Sequence, residues 1–147
     1  MHPLGKTSSH RLSSCHSDWK VICEALCNWV NYSVFCGHRG ELAQNQAFFN
    51  GTSELEWPNS KHNSLPSLAI DMGPYFSELK NTDWEDANAF AMFAGMVLLV
   101  AKQLYVQGKI SHQVIWGGDW DSDGRTSDHK FRDFPHFELT KENVWNL

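Results

Sequence analysis

Between Asp18 and Val30 the apolar residues Trp19, Val21, Ile22, Ala25, Leu26, Trp29 and Val30 recur at helical spacing, which predicts a helix with one buried face. Tyr32 to Cys36 is a short apolar run closed by Gly37 and reads as a strand. Glu41 to Phe49 predicts a second helix, stopped by Asn50-Gly51 because glycine takes up the left-handed conformation that ends a helix. Residues 52–66 are polar and proline-punctuated and read as a long loop. Leu68 to Met72 predicts a strand broken by Gly73-Pro74. Thr82-Asp83-Trp84-Glu85 has the spacing of a capping box, from which the longest helix would run to about Gln107 and stop at Gly108. Val114 to Trp116 and Phe137 to Leu139 predict the last strands, separated by a loop over Gly117 to Lys130. The sum is one α+β domain over residues 1–147, a small, mainly antiparallel sheet packed against helices.

Composition narrows the function. A net charge of -5, with no Lys/Arg-rich run, argues against nucleic acid as the main partner. The N-terminus lacks the apolar stretch of a secretory signal, so the chain is expected to be cytoplasmic when made. The apolar run Ala89 to Ala101 contains Gly95 and is too short to span a bilayer, so no membrane span is expected, and a monomer is the simplest state. Without an export signal, Cys15, Cys23, Cys27 and Cys36 are expected as reduced thiols. Cys23 and Cys27 share a helix face but lack the second close Cys/His pair of a structural zinc site. The seven tryptophans suit an aromatic-rich core better than a sugar- or peptide-lined groove.

The chemistry sits in three local contexts: His62 after Ser60-Lys61, Asp71 inside Leu68 to Met72, and His136 between Pro135 and Phe137. An acid in an apolar strand needs a charged partner, and a metal ion or an arginine would serve. Two histidines and one carboxylate make three metal ligands, and three protein ligands leave the fourth position of a zinc ion open, as in catalytic sites. A surface-loop histidine at position 62 and a core histidine bonded to a carbonyl at position 136 are the plain alternatives. Asp133, three residues before His136, is a second carboxylate placed for proton transfer. Glu138 alternates with His136 and suits an outer partner that orients a ligand. Asp119, Asp121 and Asp123, followed by Gly124, resemble the start of a calcium loop. The twelfth position is Lys130 where such a loop needs Glu, so an Asp/Gly-rich turn is preferred over Ca2+.

The ordered set Gly37-His38-Arg39, Gln44, Ser60-Lys61-His62, Ala69-Ile70-Asp71 and Asp133 to His136 resembles the peptidoglycan metallopeptidases related to D-Ala-D-Ala carboxypeptidases. Within them it is most similar to the phage-type L-alanyl-D-glutamate endopeptidases, or endolysins. The resemblance implies one Zn2+ held by His62, Asp71 and His136, with Asp133 as general base and acid. It implies Arg39 beside the metal, stabilising charge, and Ser60 and Gln44 toward the substrate. The implied partner is the peptidoglycan stem peptide, reached through a holin-type pore during host lysis. The segment between the first two ligands, Asn63 to Leu68, is longer than the commoner family spacing, which carries a glycine. Two alternatives stand beside this reading: a D-Ala-D-Ala carboxypeptidase on the same scaffold, and a non-catalytic zinc-containing cell-wall binding module.

Overall fold

The computed structural model describes residues 1–147. Four strands, β1 (Tyr32–Cys36), β2 (Ala69–Pro74), β3 (Gln113–Trp116) and β4 (His136–Thr140), form one sheet in the order β1-β2-β4-β3. Every neighbouring pair is antiparallel. Four helices accompany it: α1 (Lys6–Ser13), α2 (Ser17–Leu26), α3 (Glu41–Phe49) and α4 (Ala87–Val106). The α+β architecture expected from the patterning is the one observed.

Side chains alternate between the two faces of a strand, so the sequence of each strand decides what the sheet buries. Ile70 and Met72 of β2, Phe137 and Leu139 of β4, Val34 of β1 and Val114 and Trp116 of β3 enter one core. Trp19, Ile22 and Leu26 of α2 and Phe93, Val97 and Ala101 of α4 close it from the other side. The residues between them on β2 and β4, Asp71, His136 and Glu138, are thereby left on the opposite face of the sheet. Helix α4 is long and apolar enough to cross a membrane by length and composition. Here its buried face, Phe90 through Leu104, packs into the core, while Met92, Leu99 and Val106 stay exposed.

Several boundaries differ from the sequence reading. Helix α1 is unannounced, because Lys6–Ser13 carries almost no apolar residue. Tertiary hydrogen bonds hold it instead: Val34 N donates to Ser8 Oγ (3.0 Å) and Arg11 Nη1 to the Val34 carbonyl (2.9 Å). These cover the free edge of β1. Helix α2 stops at Leu26 rather than Val30, since Trp29 and Val30 both donate back to the Leu26 carbonyl in the turn that leads into β1. The capping box at Thr82 is not formed. Helix α4 begins at Ala87, where Asp86 accepts from Ala89 N at 2.9 Å, and Thr82 is buried with its hydroxyl unpaired. Strand β2 also continues through Gly73 and Pro74 instead of breaking there. A Cβ on Gly73 would press into the Phe90 ring, so glycine is what lets α4 lie this close to the sheet. All four cysteines are free, and burial pushes the Cys15 and Cys23 thiols up to about 12, which leaves them unreactive.

Asp18 ties α2 to the turn before β3. Its Oδ2 accepts from His112 Nδ1 (2.8 Å), His112 N (3.0 Å), Ser111 N (2.9 Å) and Ser111 Oγ (3.3 Å). Burial alone would raise its pKa, but these bonds, led by the His112 ring, hold it below the ordinary 3.8. Asp18→Ala strands several buried donors and is expected to cost about 3 kcal/mol in urea unfolding at neutral pH. A carboxylate with a depressed folded pKa stabilises fully above its unfolded value and less as pH falls below it. The gap between wild type and variant should therefore narrow below pH 3.8. A gap independent of pH would show that Asp18 acts through packing and not through charge.

Candidate functional site

Strand register brings the first donors together. Asp71 on β2 stands directly opposite His136 on β4, and across its other neighbour it is opposite Cys36 on β1. Directly opposed residues project on the same face, so the three side chains form a row across three strands. His62 arrives from above the sheet on a short 3-10 turn, Lys61–Asn63. That turn is capped reciprocally at its N-terminal end. Ser60 Oγ accepts from His62 N (3.2 Å), and Asn63 Oδ1 accepts from Ser60 N (3.0 Å).

Three atoms converge at the centre. His62 Nε2 lies 3.1 Å from Asp71 Oδ1 and 3.2 Å from His136 Nδ1, and the latter two lie 3.3 Å apart. The other ring nitrogens are engaged outward: His62 Nδ1 with the Gly37 carbonyl (2.7 Å) and His136 Nε2 with Glu138 Oε1 (3.0 Å). A carbonyl and a carboxylate only accept, so each ring places its N–H outward and its lone pair inward. Two lone pairs and a carboxylate oxygen then face one point, which only a cation reconciles.

The electrostatics of the cluster favour positive charge at its centre. Burial opposes charge on His62, yet the Asp71 carboxylate overrides it and raises the pKa to about 10. His136 rises to about 9 against the same burial, through its bonds to Asp71 and Glu138. Burial likewise opposes the Asp71 carboxylate, and the two imidazoles still hold it well below the usual range. The set also fits a metal. Donors about 2.0–2.1 Å from a tetrahedral ion lie about 3.3 Å from one another, close to the three separations here. Each histidine already has the outward acceptor that metal-binding histidines use.

Arg39 adjoins this triangle, with Nη2 donating to Asp71 Oδ2 (3.4 Å) and Cys36 Sγ (3.8 Å) and Nη1 to Gln44 Oε1 (3.1 Å). Gln44 is fully buried and does not line the cleft. It also donates to Ser53 Oγ (2.9 Å) and the Leu55 carbonyl (2.6 Å), and its Oε1 accepts from Asn63. It therefore stands behind Arg39, not in front of it. Ser60, Arg39, His62, His136, Glu138 and Asp133 do line a cleft of about 460 Å³. Asp133 is held by its backbone: its N donates to the Gly117 carbonyl (2.8 Å) and its own carbonyl accepts from His136 N (3.1 Å). A Cβ on Gly117 would run into the Asp133 carbonyl, so that glycine sets the close approach. Burial raises the Asp133 pKa first, and the Asp71 charge adds to it, which suits a group that both takes and gives a proton.

The sequence reading missed three participants. Cys36 offers a thiol within 4.8 Å of the His62 and Asp71 donors. Burial opposes its ionisation, but His62, aided by Arg39, brings its pKa below the ordinary value. Asn63 completes the cap below His62 and donates to the Arg39 carbonyl (3.1 Å). Trp120 lays its ring 5.4 Å from that of His136 at the cleft wall. The Ser-x-x-Asn spacing of the cap was the one available signal, since Cys36 and Trp120 arrive through register and a loop path.

Comparison with known proteins agrees with this geometry. The family model described as phage L-alanyl-D-glutamate peptidase matches residues 1–140. The crystal structure of the L-Ala D-Glu endopeptidase ChiX from Serratia marcescens superposes with a TM-score of 0.69 at 25% identity. That match covers 92% of this chain and 87% of ChiX. A search of the curated proteins finds no match. A family match over nearly the whole chain, on a fold whose sheet gathers these residues in one cleft, places the protein in the phage L-alanyl-D-glutamate peptidase family.

Proposed function

We propose that the protein is a zinc-dependent endopeptidase that cuts the L-Ala-D-Glu bond of peptidoglycan stem peptides and serves in host cell lysis. One observation carries the reading: the inward lone pairs of His62 and His136 and the Asp71 oxygen meet at a cleft that Asp133 and Arg39 also line. His62, Asp71 and His136 would hold the zinc, which when bound supplies Lewis-acid polarisation of the scissile carbonyl and lowers the pKa of water to about 7. Asp133, kept partly proton-seeking by burial, takes the proton from the attacking water and returns it to the leaving amine. The Arg39 guanidinium stabilises negative charge that develops on the carbonyl oxygen. Gln44 and Asn63 hold Arg39 in place from behind. Glu138 fixes the His136 ring. The chain would act alone, as a monomer, and would reach the wall from the cytoplasm through a pore made by another protein.

Mass spectrometry of purified murein, digested with and without a zinc chelator, tests the reaction. Chelator-sensitive release of stem peptides that begin at D-Glu is expected. Loss of a terminal D-Ala alone would assign a carboxypeptidase instead, and no product would favour a binding module. Asp133→Ala should lower kcat about 10³-fold with zinc still bound, measured by metal analysis beside the activity assay. Retained turnover would remove Asp133 from the mechanism. Glu138→Ala should weaken zinc about 10–100-fold in competition with a chromophoric chelator, because the His136 ring loses its brace. Unchanged affinity would show that Glu138 is only a neighbour.

A further inference from the structure

On the endopeptidase reading proposed above, the acid that serves the leaving group fixes how the stem peptide lies in the cleft. Asp133 returns its proton to the amine of D-Glu, so the D-Glu half of the scissile bond must lie against the segment that carries Asp133. That residue is unlike one in an ordinary peptide. It continues the chain through its γ-carboxyl, so the carbon bearing the leaving nitrogen also carries a free α-carboxylate. This anion arrives beside Asp133, in a cleft that also holds Glu54 and Glu138. Like charges repel at such range, and a cation on the same side offsets them.

Besides His62 and His136, the basic side chains that line the cleft are Arg39, Lys61, His129 and Lys130. Two of them are engaged. Arg39 bonds Asp71, Cys36 and Gln44, and His129 Nε2 faces Asp121 (3.4 Å), Asp128 (3.6 Å) and Asp119 (3.8 Å). Lys61 and Lys130 form no ion pair. Lys61 belongs to the turn that carries His62. Lys130 stands three residues before Asp133 on the segment that meets the leaving group. The backbone on this segment is fixed. The Trp120 indole N–H donates to the Phe131 carbonyl at 3.0 Å, the two rings stack at 17°, and Asp133 N donates to the Gly117 carbonyl at 2.8 Å. Asp128, two residues away, faces His129 and Arg125 instead, which leaves the Lys130 ammonium uncommitted.

We infer that Lys130 sets specificity on the leaving side: its ammonium pairs with the free α-carboxylate of D-Glu and selects stems in which that group is an acid over stems in which it is an amide. A carboxamide keeps the shape but loses the charge, and it replaces one acceptor oxygen by a donor that an ammonium cannot meet. The anion is present in the bound substrate and in the transition state alike. The pairing therefore lowers KM more than it raises kcat.

Steady-state kinetics of the full chain on two synthetic muropeptides test the pairing. The two are identical except that the D-Glu α-carboxyl is free in one and a carboxamide in the other. Wild type should cut the acid with a kcat/KM about 10–100-fold above that for the amide. Lys130→Met should lose about that factor on the acid, chiefly through KM, and little on the amide, so that the preference disappears. Lys130→Arg should retain the preference, and so should Lys61→Met on the His62 turn. High salt should compress it in wild type, because Lys130 is exposed to solvent. Equal cleavage of both substrates by wild type, an equal loss on both in Lys130→Met, or a preference erased by Lys61→Met would overturn the assignment and leave the endopeptidase reading standing. No cleavage of either substrate by wild type would overturn both.

Discussion

The site depends on one constraint: Asp71 and His136 are cross-strand partners, and His62 is lowered onto them from above the sheet. The backbone therefore forces a carboxylate and two inward lone pairs into mutual repulsion unless a cation sits among them. The outer bonds to the Gly37 carbonyl and Glu138 keep either ring from turning away. This electrostatic demand is built by the fold and not by flexible side chains. It explains why the surrounding elements are so heavily braced: a capped 3-10 turn under His62, a buried glutamine behind Arg39, and a glycine that lets Asp133 come close.

Core and site are two faces of the same strands. Ile70 and Met72, or Phe137 and Leu139, cannot enter the core without turning Asp71, His136 and Glu138 to the opposite face of the sheet, where His136 and Glu138 line the cleft. Stability and function are thus coupled by the two-residue period of a strand. A slip of one residue between β2 and β4 would bury the donors and expose the core.

That period also explains what the sequence could disclose. An acid within Leu68 to Met72 and a histidine flanked by Pro135 and Phe137 stand out because they interrupt apolar strands, and helix α3 is legible from its Asn50-Gly51 stop. Helix α1 is not legible, since its stability comes from Ser8 and Arg11 bonding β1 rather than from an apolar face. Cys36 joins the site only through the β1–β2 register, which shifts between Val34 and Cys36, and no local pattern announces that irregularity. Gln44 illustrates a different blindness. Spacing places it near Arg39 but cannot say whether it faces the cleft or the interior, and burial alone decides that.

In the proposed mechanism His62, Asp71 and His136, and not Cys36, would be the protein donors to the metal. X-ray absorption at the zinc edge, on protein loaded with one equivalent, tests it most directly. Two imidazoles with only oxygen donors beside them, at about 2.0–2.2 Å, are expected. A sulfur shell at about 2.3 Å would place Cys36 on the metal, close the position left for water, and contradict the catalytic reading.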